Sequence, residues 1–162
     1  MRALRHAFGL GRVRRHFPPA TLDAIQHAIA AGEARHRGEI VFAVEATLGI
    51  AAAWRGRSAR ERAREVFAQL RVWDTEYNSG VLIYLLLADR AIEIVADRGI
   101  AARVDDAQWQ GVCELLRQHC RRDDPAGGAL AAVDAVNAIL ARHLPAGAAP
   151  ARDELPDRPV LL

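Results

Sequence analysis

A three-layer α/β/α domain with a small mixed sheet is what three features of this 162-residue chain predict. Residues 81–87 (VLIYLLL) form a continuous apolar run, the mark of a strand covered on both faces. After the polar interruption Ala88-Asp89-Arg90, residues 91–96 (AIEIVA) resume in β-branched, roughly alternating fashion, as the second arm of a hairpin. Residues 39–46 (EIVFAVEA) are a third run of strand length, and a helical pattern lies between it and the hairpin. Strand, helix, strand makes the first two strands a right-handed parallel crossover. Periodicity alone also permits one helix through residues 78–100, but the density of Val and Ile and the brackets Gly80 and Gly99 argue for strands.

The length suits one domain, large enough to bury a core without disulfide or metal. Phe17-Pro18-Pro19 closes an N-terminal arm, residues 1–17, and a first helix follows over about 21–36 with Leu22, Ile25 and Ile29 on one face. Ser58-Ala59-Arg60-Glu61 has capping-box form and starts a second helix, whose buried stripe is Ala63, Val66, Phe67 and Leu70. Asp105 or Asp106 caps a third, with Gln108 placed to complete a box from Asp105. Cys113 and Cys120, seven apart, fall on its apolar stripe as small hydrophobes. Asp124-Pro125 supplies Ncap and N1 of a fourth helix, which Pro145 stops. The folded domain is therefore residues 18–145. Residues 146–162, rich in Ala, Pro and charge, read as a flexible tail.

All 22 basic residues are Arg, and the formal net charge is only +2. The excess sits in the arm, where Arg2, Arg5, Arg12, Arg14 and Arg15 precede the first acidic residue, Asp23. Leu4, Phe8, Leu10, Val13 and Phe17 among them suit an anionic membrane surface or a protein partner, although Gly9 and Gly11 weaken any helix there and favour a frayed terminus. No secretory h-region and no run near the roughly 20 apolar residues of a membrane span are seen, so a cytoplasmic location is expected, with the arm as a peripheral contact to the inner membrane. The charge run Arg60, Arg62, Arg64, Glu65 lacks interleaved aromatics and reads as a solvated helix face, not a nucleic-acid site.

The phrases Gly38-Glu39-Ile40-Val41, Asn78-Ser79-Gly80-Val81-Leu82-Ile83-Tyr84, Ala88-Asp89-Arg90, residues 93–100 (EIVADRGI), Trp109 and His143-Leu144-Pro145 come in an order that resembles the TPM domain family. The similarity runs from about Pro18 to Pro145. It implies an α/β/α sandwich, calcium binding in some members and acid phosphatase activity in a plant branch. Two departures stand out. Arg14-Arg15-His16-Phe17-Pro18 occupies the place of an acidic segment in longer members, and Asp97-Arg98-Gly99 stands where many have Gly-x-Gly.

Strand directions sort the polar residues into two groups. Glu45, Asp89 and Arg90 belong to the carboxyl ends of the parallel strands, where open α/β sheets bind ligands, and Asp123 and Asp124 return to the same end. Asn78, Asp97, Arg98, Asp105 and Asp106 belong to the opposite end. The expected calcium ligands are Glu45, Asp89, Asp123 and Asp124, with Asn78, Asp97, Asp105 and Asp106 as the alternative set, since calcium takes several hard oxygens. Each residue also has a structural explanation: Asp105 and Asp124 as caps, Asp89 in a tight turn, Asp97 paired with Arg98 or with a neighbouring helix terminus. The expected function is a binding or accessory domain that holds a divalent cation. The rival is a metal-dependent acid phosphatase using Asp89 or Asp97, with Arg90 or Arg98 on the phosphate. Other chemistries find no motif. The six histidines show no HExxH, Gly127-Gly128 has no P-loop Lys, and neither Ser58 nor Ser79 lies in a G-x-S-x-G elbow.

Overall fold

The computed structural model describes residues 10–48, 56–148 and 152–162. Strands β1 (Glu39–Glu45), β2 (Gly80–Leu86), β3 (Ala91–Ala96) and β4 (Val160–Leu161) form one sheet in the order β3-β2-β1-β4. β1 and β2 run parallel, with Ile40 opposite Val81 and Glu45 opposite Leu86. Every residue of both is buried, as the unbroken apolar runs require. β3 turns back antiparallel, with Leu86 opposite Ala91 and Val81 opposite Ala96, and only its alternate residues Ile92 and Ile94 are buried. Arg90 closes that turn at φ 52, and its N–H donates to the Leu87 carbonyl (3.2 Å).

The two faces of the sheet are covered unequally. On one lie α1 (Leu10–His16), α2 (Pro19–Glu33), α5 (Asp106–Arg121) and α6 (Pro125–His143), packed on Ile40, Phe42, Val44, Ile83, Leu85 and their neighbours. On the other, α3 (Ala59–Gln69) covers Val41, Ala43, Leu82, Tyr84 and Leu86, helped by Leu48, Val72 and Leu155. One further turn of helix, α4 (Arg98–Ala101), follows β3. The capping box holds: Ser58 Oγ accepts from Glu61 N (3.1 Å), and Ser58 N donates to Glu61 Oε2 (2.9 Å). Asp124 caps α6 by accepting from Gly127 N (2.9 Å), with Pro125 at the first position. Asp105 occupies the N-cap of α5 but its side chain makes no capping bond, so no box with Gln108 forms.

Two segments differ from expectation. The arm does not fray throughout: residues 10–16 are helical, and Val13 and Phe17 are buried, Phe17 packing on Phe42 with ring centroids 6.1 Å apart. A helical Gly costs about 1 kcal/mol, whereas burying Val13 and Phe17 contributes about 1.5–3 kcal/mol each, so packing outweighs Gly11. Arg2, Arg5, Leu4, Phe8 and Gly9 lie outside the described residues. The expected flexible tail is the second difference. Residues 152–162 lie along the sheet edge, where Val160 and Leu161 pair with Ala43 and Val44 and Leu155 is buried. An edge of β1 with unpaired backbone groups is a ready template for such an addition.

Candidate functional site

The carboxylates expected at the carboxyl ends of β1 and β2 are divided between the two faces of the sheet. Glu45 points toward α3 and is buried there: Arg62 Nε donates to its Oε2 (2.8 Å) and Oε1 (3.2 Å), and the Tyr84 hydroxyl donates to Oε2. Hydrogen bonding to Glu45 raises the pKa of Arg62, and burial, then Glu45, raises that of Tyr84. On the other face, Asp124 Oδ2 meets His119 Nδ1 (2.9 Å) while its Oδ1 caps α6; His119 first and Gly127 N–H second hold this carboxyl low. Asp123, at φ 60, lies 3.9 Å from His16 Nε2. Asp89 sits in the β2–β3 turn, half-buried. His16, Leu87, Arg90, Cys120, Asp123 and Pro125 line a small open cleft here. Arg90 has no ion pair or side-chain hydrogen bond among the described residues. Burial raises the pKa of both thiols, Cys113 and Cys120, which suits packing rather than nucleophilic use.

The alternative set is also occupied with local structure. Asp97 Oδ1 accepts from Arg98 N (2.8 Å) at the start of α4, and its Oδ2 is buried without a partner among the described residues. Asn78 Oδ1 accepts from Arg98 Nε (3.3 Å). Asp105 and Asp106 begin α5. Among the described residues, neither set gathers three acidic side chains to within metal-bridging distance.

A different trio does. One oxygen each from Glu33, Glu39 and Asp153 lie within 4.8 Å of one another. Glu33 ends α2, Glu39 begins β1, and Asp153 belongs to the C-terminal segment. Backbone amides orient two of them: Ile40 N donates to Glu33 Oε1 (3.0 Å) and Leu155 N to Glu39 Oε2 (3.2 Å). Asp157 hydrogen-bonds to Glu33, and its Oδ1 is closed off from solvent with no partner among the described residues. Glu154 turns its carboxylate to Glu76 N (3.0 and 3.2 Å).

The electrostatics follow from burial and from the company of like charges. Glu39 is only 4% exposed, and its carboxyl is pushed up to about 7, by burial first and then by Asp153 and Glu154. Burial raises Glu33 and Asp157 as well. Every donor here is a hard oxygen, the set that suits calcium or magnesium, and the orphaned Asp157 oxygen fits the same chemistry. Sequence reasoning missed this trio because Asp153 lies in the segment taken for a tail. The apolar ending Val160-Leu161-Leu162 was the available signal that the segment docks.

Close by, a neutral polar network is fully matched. His36 Nε2 donates to Asn137 Oδ1 (2.9 Å), His36 Nδ1 accepts from Gly38 N (3.2 Å), and Asn137 Nδ2 donates to the Ala28 carbonyl (3.1 Å). Both side chains are completely buried, and burial holds the His36 pKa below its ordinary value. A Cβ on Gly32 would come within 2.0 Å of Asn137, so only glycine admits this packing.

A mixed sheet with a parallel pair, a hairpin and helices on both faces is the architecture of a TPM domain. The chain belongs to that family, whose TPM domain matches residues 15–139. Its fold is similar to that of the BA42 protein from the psychrophilic bacterium Bizionia argentinensis, determined by NMR. The two share 27% identity and superpose with a TM-score of 0.75 over 88% of this chain and 92% of BA42. No curated protein is significantly similar in sequence. Among the described residues, no helix is long and apolar enough to cross a membrane.

Proposed function

We propose that this TPM domain is a binding or accessory module that holds a divalent cation, calcium by the chemistry of the donors, between Glu33, Glu39 and Asp153. The observation that carries this reading is the meeting of three carboxylates from three separate segments within 4.8 Å. Their neighbours are further carboxylates, and the main influences on Glu33 and Glu39 include no basic side chain. A cation there relieves the mutual repulsion that protons otherwise relieve, so binding releases protons. Calcium takes 6–8 oxygens, and Asp157 and water complete the shell. The acidic residues at the carboxyl ends have less to offer, because Glu45 and Asp124 already have Arg62 and His119. The test is thermal melting of the full chain with and without calcium. Calcium at about 100 times its dissociation constant adds about 2.7 kcal/mol to stability; no shift at millimolar calcium would remove the cation from the proposal.

One observation favours a second reading, hydrolysis of phosphomonoesters. Arg90, without a side-chain partner among the described residues, lines the cleft that His16 and Asp123 share, and a free guanidinium is suited to phosphate. Asp89 adjoins it in the turn. Turnover of a phosphomonoester across acid pH, abolished by Asp89→Asn, would make the protein an enzyme and displace the binding-module reading.

A further inference from the structure

The small cleft at the carboxyl ends of β1 and β2 gathers positive groups that the fold itself leaves unmatched. Four segments build it: the β2–β3 turn with Leu87 and Arg90, the end of α1 with His16, the last turn of α5 with Cys120, and the link into α6 with Asp123 and Pro125. Arg90 stands at φ 52, a left-handed turn position that favours Gly or Asn. Its guanidinium nonetheless makes no ion pair or side-chain hydrogen bond among the described residues. An arginine on a flat surface is solvated, whereas one lining a cleft offers its fork of N–H groups to a ligand.

The surroundings of Arg90 favour an anion. Cys120 and Pro125 are buried and Leu87 is half-buried, so part of the lining is apolar, and a charge-assisted hydrogen bond is stronger where water is partly excluded. His16, only 16% exposed, brings an imidazole to the same cleft. Arg14 and Arg15 precede it in α1, and Arg122 precedes Asp123; all three are exposed and have no side-chain partner among the described residues. Such charges raise the local concentration of anions without fixing one. Three carboxylates lie nearby. Asp89 already has a partner. Asp124 has its oxygens taken by Gly127 N and His119 Nδ1 and does not line the cleft. Asp123 does line it, 3.9 Å from His16 Nε2, but its side chain is 70% exposed, so solvent screens its charge.

We infer that this cleft is a binding site for the phosphate group of a small organic monoester, held by the guanidinium of Arg90 and the imidazole of His16 while the attached group lies on Leu87, Cys120 and Pro125. A phosphate suits the pair better than a carboxylate, because its three terminal oxygens can accept from the arginine fork and from the imidazole at once. A soluble phosphomonoester and a lipid whose headgroup is a phosphomonoester offer the same chemistry. The site shares its cleft with the hydrolytic reading but needs no bond to break, and it is independent of the cation site at the amino end.

Two binding measurements on the full chain at pH 6 test this: calorimetric titration with glycerol 3-phosphate, and flotation with phosphatidylcholine vesicles with and without phosphatidic acid. Released phosphate is assayed in parallel. Saturable binding is expected, weakened about tenfold or more in Arg90→Gln and kept in Arg64→Gln, which removes an exposed charge from α3. Ligand-free Arg90→Gln should melt with the parent protein, since that side chain has no partner to lose. Asp123→Asn should tighten binding by up to about fivefold. Heat with glycerol 3-phosphate supports a soluble ligand; flotation that requires phosphatidic acid, without such heat, supports a lipid headgroup in the same site. Binding without released phosphate leaves the site standing and removes hydrolysis. Binding that survives Arg90→Gln, or that falls equally in Arg64→Gln, would overturn the inference, as would no binding of either probe at millimolar concentration.

Discussion

The two ends of the parallel pair β1–β2 carry acidic residues in opposite electrostatic states. At the carboxyl end, Glu45 is clasped by Arg62 and Tyr84, and Asp124 by His119 and the amide of Gly127. At the amino end, Glu33, Glu39, Asp153 and Asp157 meet one another, and burial drives the carboxyls of Glu33, Glu39 and Asp157 upward. A carboxylate already matched by a cation or a helix terminus is part of the scaffold. Carboxylates whose nearest company is more carboxylate are the ones a divalent ion can reward.

Replacing one partner at each end exposes the difference. Arg62→Ala leaves Glu45 buried without its counter-charge and should cost about 3 kcal/mol in chemical denaturation, with calcium binding untouched. At the amino end the sign reverses. Glu39→Gln removes a charge that burial disfavours, so the calcium-free protein at pH 8 should gain on the order of 1 kcal/mol while losing its stabilisation by calcium. Equal destabilisation by the two substitutions would erase the contrast.

pH sharpens the same comparison. Glu39 is raised to about 7 in the folded protein from 4.5, so its contribution to stability is complete below about 4.5 and is lost as pH rises through about 7. On the proposed cation reading calcium competes with that proton, and its apparent affinity should therefore rise between pH 6 and pH 8 in calorimetric titrations. His36 works in the other direction. Its pKa is depressed below 6.5 by burial, so its contribution is complete above that value and drains away as pH falls. Gln in place of Glu39 should flatten the first dependence and leave the second. The smallest effect belongs to the carboxyl-end cap: Asp124→Ala should cost about 1 kcal/mol, measured by denaturation, and leave the calcium response as it was.

How much of this could be read from the chain depends on how local each signal is. The buried runs of β1 and β2, the alternation of β3 and the Ser58-Glu61 box all lie within stretches of a few residues, and each element stands where its pattern puts it, within a residue or so. Val13 and Phe17 were legible as apolar residues, but their burial depends on Phe42, which the local sequence does not reveal. Strand direction correctly sent Glu45 and Asp124 toward one end of the sheet. Direction alone did not separate their faces: Glu45 shares the α3 face with Val41 and Ala43, where Arg62 and Tyr84 meet it, whereas Asp124 lies on the other. The amino-end trio was least accessible, because Leu155 meets Glu39 across 116 residues of sequence. Without that docking Asp153 has no address.

Calcium titration of the full chain by calorimetry at pH 8, set beside Glu33→Gln/Glu39→Gln and Asp89→Asn/Asp123→Asn double variants, tests the central claim most directly. A cation site at the amino end predicts a single saturable 1:1 heat in the parent protein. That heat should vanish in the Glu33/Glu39 variant and persist in the Asp89/Asp123 variant. Heat that survives loss of Glu33 and Glu39 but not of Asp89 and Asp123 would move the site to the carboxyl end and contradict the account.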